Sequence, residues 1–577
     1  MDNQLPKPLI IAISLFQGIV LTLLYQSVEH NFWPATEPVW LTSLTTLAIS
    51  LPLLTLLCIT KSNIPNTVKY LVPFCLLLSV LGGYVGYQQE PVEFVNNEGV
   101  IATFCFTALL ASFKGLMYVQ QYVSKQLVTY SALFRLSWRN FIIFGECWLF
   151  VGIFFGILHL GAGLFAVLEI DIFKELLRKD WFVIPVLNVA FGFAIIIFRN
   201  IIHTVDNIST ILQTLIKFLL PALTIVSLAF LATLPFTGLA TLWKTGSGSL
   251  LVMWLQALTL FFVNAVYKDD SHQRPYGHLL HRLIFIGVAL LPIYSVIAAY
   301  GLWLRIEQYG LTIDRCWALL VWFLLTCFSV GYLFGILKKK DAWLETLCKV
   351  NVSMGLVFLA AMLLVNSPLL NFQSISANSQ LARLHDGKVT YENFDYNYFG
   401  YSLGRQGYLE LQELKEEIRQ THPEKVTIIE RMYVNYQRNR EYERNMQENG
   451  NIEEFEAFVT YWPSNAHFPS EMIEAVYDQV STREWESFKS NSYYFVAQDL
   501  NDDQQVEHIV ITENNHSTSA NYWRLINGKW QPQYMQSYNP ENNHYLKEQL
   551  LENNVEAVAP AWKQLKVGNL IFKMPAD

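Results

Sequence analysis

Residues 338–384 read KKKDAWLETLCKVNVSMGLVFLAAMLLVNSPLLNFQSISANSQLARL, and this stretch decides how the chain is built. It opens on Lys338-Lys339-Lys340 and continues through the apolar run Val350–Val365. It then ends in a polar segment after which no run is membrane-like again. A crossing helix needs about 20 mainly apolar residues. Working back from Val350, eleven runs come close: 8–25, 39–59, 70–87, 100–118, 141–167, 181–198, 212–234, 250–266, 283–304, 316–337 and 350–367. Helices are the expected form, because lipid offers no partner to an unpaired backbone group. Trp33, Trp40, Trp181, Trp243 and Trp303 stand near run ends, where amphipathic rings favour the bilayer interface. Pro52, Pro73, Pro185, Pro221 and Pro292 predict kinks, since each removes a backbone donor. Lys7 followed by Pro8–Tyr25 has the outline of a signal peptide, but no small-x-small site follows it, so it reads as a retained first helix.

Charge divides where hydropathy does. Residues 1–367 carry 22 Lys and Arg against 18 Asp and Glu, while 368–577 carry 18 against 30. A tail with net charge −12 excludes nucleic acid as a partner, since phosphates require a basic surface. The connections between runs are also asymmetric. Even-numbered ones hold 13 Lys and Arg and odd-numbered ones 6, which places the N-terminus in the cytoplasm and the tail across the membrane. The expected architecture is a polytopic α-helical membrane protein of about eleven transmembrane helices, 1–367. It is followed by a soluble α+β domain, 368–577, on the periplasmic side.

The seven cysteines all lie in or beside apolar runs and form no CxxC pair, so a thiolate metal site is not expected. Polar residues inside the runs are the functional candidates, because a charge at mid-membrane costs about 2.5–3.5 kcal/mol on insertion scales. Glu146 is the clearest, with His159, Asn188 and Asn264 behind it. If the fifth helix starts near Phe141, Glu146 lies about a turn and a half inside it. His278 and His281, three apart, share a helical face and with Asp270 make a weak metal candidate.

In the tail, Val389–Phe399 alternates like a half-buried strand, and Ser402–Arg419 and Val426–Asn445 read as amphipathic helices. Phe455–Trp462 reads as a strand and Pro469–Val480 as a helix. Ser492–Gln498, Val506–Ile511, Ala520–Ile526 and Lys529–Met535 form an antiparallel meander, its last turn marked by Asn527-Gly528. A final helix is expected near Asn543–Leu551. Asp499, Asn501 and Asp503 alternate as calcium ligands do, but Gln504 replaces the turn glycine, so an acidic turn is the preferred reading.

Three further segments carry a resemblance. RIEQYGLTIDR holds Arg305, Tyr309, Gly310, Leu311, Thr312 and Arg315. NSQLARL holds Ser379, Gln380, Arg383 and Leu384, and LGRQGYL holds Gly404, Arg405, Gly407 and Tyr408. Together they resemble the bacterial polytopic inner-membrane family called domain of unknown function four-one-five-three. The resemblance implies an inner-membrane protein and transfers no catalytic residue. With the orientation above, the three segments fall on one side, where Arg305 and Arg315 are expected to pair with the acidic tail.

No nucleophile–base pair and no Gly-rich phosphate loop of the usual kind occurs, so no catalytic residue and no cofactor is assigned. The expected role is non-enzymatic: an envelope binding, sensing or scaffolding protein that contacts the lipid bilayer and an envelope partner held by the C-terminal domain. Transport using Glu146 is the alternative. A membrane enzyme acting on a lipid-linked substrate, with Glu29, His30 and Glu37 in the first outer loop, is a further one.

Overall fold

Eleven helices among the described residues are long and apolar enough to cross a membrane. The computed structural model describes residues 5–535 except 97, 126, 169, 245–247, 268–274, 340–342, 448–451, 465, 482–487, 489–490, 501–502, 514–517 and 527, and also 565–567 and 570–572. The first five spans are α1 (Lys7–Glu29), α2 (Pro38–Cys58), α3 (Ile64–Tyr87), α4 (Glu98–Val123) and α5 (Tyr130–Val167). After the short α6 (Ile172–Leu176) come α7 (Asp180–Asn200) and α8 (Ile202–Thr237), the latter a span from Thr210. The short α9 (Leu239–Lys244) precedes α10 (Gly248–Val266). The ninth span is a broken pair, α11 (His278–Ala289) and α12 (Leu291–Tyr309). The last two are α13 (Ile313–Lys339) and α14 (Trp343–Leu364). The chain is a polytopic helical membrane protein with a C-terminal region built on a mixed five-stranded sheet.

Proline acts unevenly. Pro292 stands at the break between α11 and α12, whereas Pro52, Pro73, Pro185 and Pro221 lie inside continuous helices. Between helices, lipid supplies no hydrophobic drive, so packing and polar contacts hold the bundle. One core gathers Leu260, Val263, Tyr294, Tyr332 and Trp343; another gathers Leu56, Leu71, Cys75, Cys147 and Ile195. Buried amides and hydroxyls tie the helices across these cores. Gln256 Nε2 donates to Ser295 Oγ and Ser329 Oγ, each at 2.7 Å, and Tyr118 donates to the Val352 carbonyl at 2.7 Å. Described cysteines are all free thiols.

The chain divides into two compact units, Met1–Met432 and Tyr433–Asp577. The polar segment after α14 therefore belongs with the helices as far as Met432. It comprises α15 (Phe372–His385), a π-helical turn at Tyr398–Ser402, α16 (Gly404–Ile418) and α17 (Pro423–Gln447), within which the division falls. The expected strand over Val389–Phe399 does not form. This segment is turns followed by the π turn, and its Phe394 packs on Tyr396 and Phe399, at 5.0 Å each, instead of lining a sheet. Buried Leu411, Leu414 and Ile418 give α16 its inner face.

In the second unit, α18 (Ile452–Glu456) precedes β1 (Val459–Trp462), so the strand expected over Phe455–Trp462 forms only from Val459, after the helix end at Phe455 and Glu456 and a turn at 457–458. Then follow α19 (Ser470–Ser481), β2 (Ser492–Gln498), β3 (Glu507–Glu513), β4 (Thr518–Ile526) and β5 (Lys529–Met535). Strands β2 to β5 form the expected antiparallel meander, and Ile526 faces Lys529 across its two-residue turn. β1 joins the edge in parallel with β2, which makes the sheet mixed. That pairing is available because α19 provides the crossover a parallel connection requires. Phe455, Phe468, Met472, Phe495 and Trp523 form the core between helices and sheet. A separate hairpin pairs Leu565–Val567 with Leu570–Phe572. The helix expected near Asn543–Leu551 lies outside the described residues.

Candidate functional site

A helix ends with four carbonyls that have no intrahelical partner, and α12 ends at Tyr309 because Gly310 turns to φ +72°. Those carbonyls are met by side chains of α15, 65 or more positions along the chain. Arg383 donates through Nη1 to Glu307 O at 3.1 Å and through Nη2 to Gln308 O at 2.7 Å. Gln380 Nε2 donates to Tyr309 O at 3.0 Å and to Leu311 O at 2.8 Å. Ser379 Oγ accepts from Leu311 N at 2.9 Å, and Ser376 Oγ donates to Leu311 O at 3.2 Å. The start of α13 is satisfied in the same way, since Ile313 N donates to the Tyr398 hydroxyl at 2.9 Å. Ser376, Ser379, Gln380 and Arg383 are spaced three, four and seven apart, so one face of α15 presents all four. The cation also sits where the helix dipole is negative. Leu384, on the same helix, is buried.

Arg305 and Arg315 do not bridge to the acidic tail in the described residues. Arg315 turns back to Gly310 O at 2.8 Å, and Arg305 reaches Trp243 O at 3.5 Å. Their guanidinium groups lie 5.3 and 5.8 Å from the Tyr309 ring. Carbonyls at a helix end are near at hand and lack intrahelical partners, so they capture the cations. The Thr312 carbonyl accepts the first i→i−4 bond of α13, from Cys316 N, at 2.9 Å.

The third signature segment seats on the α3–α4 connection. Arg405 donates to Glu90 O at 2.7 Å and to the Tyr87 hydroxyl at 3.1 Å, and lies 4.2 Å from the Tyr87 ring centre. Tyr408 stacks on Phe94 with centroids 5.4 Å apart. Gly404 takes φ +56°, and a Cβ on Gly407 would collide with the Phe399 carbonyl. Six spans separate the α3–α4 connection from the end of α12, and two more precede α15. Both numbers are even, so contact among these three segments agrees with the span count.

A second constellation lies among the spans. Asn264 Oδ1 accepts from Tyr332 Oη at 2.7 Å and from Asn351 Nδ2 at 2.9 Å, while Tyr130 donates to Asn264 O at 2.8 Å. Asn351 Oδ1 also lies within hydrogen-bond reach of Tyr332 Oη, so the two amide oxygens share its single proton. This network borders a cavity of about 440 Å³ that Lys114, Tyr118 and Gly355 also line. The sequence reading singled out Asn264 but not Lys114, Tyr332 or Asn351. Its signal for Lys114 was a lone cation in the fourth apolar run, diluted by its neighbours.

The other intramembrane candidates do not join this network. Glu146 sits well inside α5, whose start at Tyr130 rather than Phe141 carries it about four turns from the end. Its Oε2 is enclosed and has no hydrogen-bond partner among the described residues. His159 is exposed and stacks edge-on to Phe155 at 4.3 Å. Asn188 returns to its own helix, donating to Ile184 O at 2.8 Å. His281 is buried against the Tyr267 hydroxyl at 3.1 Å, and Asp270 lies outside the described residues. In the C-terminal loop Asp499 accepts from Gln504 N at 2.9 Å and Asp503 from Gln505 N at 2.8 Å, while Asn501 lies outside the described residues. Among the described residues no three His, Cys, Asp or Glu side chains gather as a metal site. At the end of α1 Glu29 and His30 both bond Gln26, at 3.0 Å each.

No curated protein and no solved structure matches the chain. One family model does, over residues 18–414, from within α1 to within α16. The matched region contains the whole α12–α15 clamp and ends before the mixed sheet. By that match the chain belongs to the family described as domain of unknown function, DUF4153.

Proposed function

We propose that this is a non-enzymatic binding or sensing protein of the bacterial inner membrane, whose helical unit carries the C-terminal unit on the periplasmic side and presents it to an envelope partner. The observation that carries this reading is the clamp. Ser379, Gln380, Arg383 and Arg405 place their hydrogen bonds on backbone carbonyls, a backbone amide or a neighbouring hydroxyl, and Arg405 adds an ion pair with Glu90 at 4.0 Å. Residues used in this way build a rigid platform. The Lys- and Arg-rich even connections support a cytoplasmic N-terminus. With eleven spans the tail then emerges on the opposite side.

The test uses the full chain in cells. A photo-crosslinking side chain at exposed Leu525 or Tyr534 is expected to yield a discrete adduct with an envelope protein. A reporter enzyme fused after Asp577 is expected to be active only outside the cytoplasm. A reporter active only in the cytosol would sink the reading. A second reading, transport, is favoured by the enclosed, unpartnered Oε2 of Glu146. Flux through proteoliposomes that Glu146→Gln abolishes would replace the first reading with it.

A further inference from the structure

A cavity of about 540 Å³ opens among the α2–α3 connection, the end of α4, the first turns of α5 and the end of α7. Four polypeptide segments thus converge, all at the Lys- and Arg-rich end of their spans. Three cations line it, Lys125, Arg139 and Arg199, and no Asp or Glu stands among the described lining residues. Arg199 is 8% exposed and gives one of its five donors to Leu56 O, at 2.6 Å. Holding a guanidinium so far from water is costly without an anion or several acceptors. Gln120 and Asn140 stiffen the wall by a reciprocal amide pair, with bonds at 2.9 and 3.3 Å. Gln121, only 4% exposed, also lines the cavity, and its Oε1 has no hydrogen-bond partner among the described residues. A buried amide left open in this way is a strong sign of a missing ligand or water, because such groups are otherwise paired.

We propose that this cavity binds a ligand bearing a phosphate group. Phosphate suits it better than a carboxylate. Two guanidinium forks and an ammonium match several oxygens carrying more than one charge. The carboxamide of Gln121 supplies both a donor, for a phosphate oxygen, and an acceptor, for a hydroxyl on the same ligand. The volume falls within the usual range for a small-molecule site, roughly 300–1,000 Å³. The site shares no residue with the α12–α15 clamp and stands independently of the function proposed above.

The ligand has two sources, a phospholipid headgroup entering from the leaflet or a free phosphorylated compound. The full-length protein is placed in nanodiscs of zwitterionic lipid and titrated with inorganic phosphate. In a parallel arm it is placed in discs containing phosphatidylglycerol, and retained lipid is counted by native mass spectrometry. Saturable phosphate binding in the first arm identifies a free ligand, and retention of anionic lipid in the second alone identifies a headgroup. In whichever arm binds, Arg139→Gln is expected to weaken it about tenfold, as loss of a charge-assisted fork does. Lys125 is exposed, so Lys125→Gln keeps the fold and is expected to weaken binding by a smaller factor. Arg199→Gln serves only beside a thermal-unfolding control, because it strips a donor from Leu56 O. No saturable binding in either arm overturns the proposal, as does binding that both Lys125→Gln and Arg139→Gln leave unchanged in folded protein.

Discussion

Arg383 lies directly across Gly310: a Cβ built on the glycine would stand 2.5 Å from Arg383 Cδ, and Gln380 Nε2 would be 2.9 Å away. The guanidinium of the same arginine closes the end of α12 by taking the carbonyls of Glu307 and Gln308. Glycine and arginine thus form one device. The missing side chain lets α15 come close enough for the cation to reach the helix end.

Gly310→Ala should therefore fail twice. The backbone there has φ +72° and ψ −176°, a region reserved for glycine, at a cost of about 1–3 kcal/mol. The added methyl also pushes Arg383 off its carbonyls. A lowered thermal midpoint in detergent, with new proteolysis within 372–432, is the expected outcome. Wild-type protection of that segment would show that the close approach is dispensable.

Arg383→Ala removes two charge-assisted bonds and leaves two carbonyls unmet, a loss of about 1.5–3 kcal/mol per charged hydrogen bond at most. Arg383→Lys should recover only part of this, because an ammonium cannot span two carbonyls as a planar fork does. Thermal unfolding of the three proteins in one detergent is expected to rank them Arg, Lys, Ala. Equal midpoints for Lys and Arg would mean that charge alone matters here.

Tyr332→Phe tests the intramembrane network. It removes the hydroxyl shared by Asn264 and Asn351 and keeps the ring, so the expected loss is about 0.6–1.7 kcal/mol, the scale of interhelical bonds in membranes. Asn351→Leu should cost a similar amount, because it removes one bond from each partner while Tyr332 and Asn264 remain paired with each other. The comparison is again made by thermal unfolding. A neutral result for both would recast the cluster as solvated by the adjoining cavity.

His508 predicts a pH dependence for the C-terminal unit. It packs against Phe468 at 5.2 Å and Trp530 at 5.6 Å, and its Nδ1 is buried without a hydrogen-bond partner among the described residues. Burial lowers its pKa below the ordinary histidine value, and Glu507 opposes this more weakly. The folded unit thus favours the neutral ring. Its contribution is present in full above the unfolded pKa, about 6.5, and is lost as pH falls through the lower folded value. Tryptophan fluorescence of the full chain should report easier denaturation at pH 5 than at pH 7.5. His508→Gln should flatten that difference, and an unchanged difference would assign the effect to other groups.

The amino-acid sequence alone determined the number of spans and the polar character of everything after Ser367. Hydropathy acts locally and adds along a helix, so eleven windows suffice to read it. It also held the members of the clamp, since Ser379, Gln380 and Arg383 share a helical face whatever they touch, and the meander, whose two-residue turn sets its own register. Only the tertiary structure decided which groups meet. Arg383, and not Arg305 or Arg315, joins α15 to the α12–α13 turn, because a helix end offers carbonyls without intrahelical partners, which no count of charges reveals. Phe394, Tyr396 and Tyr398 alternate as a strand would, yet the segment forms a turn in which Phe394 packs on Tyr396 and Phe399 instead of lining a sheet. Lys114, Arg139 and Arg199 look like scattered cations along the chain. Each gains its meaning from a cavity enclosed by helices far apart in sequence, and such enclosure is a property of packing that local pattern does not encode.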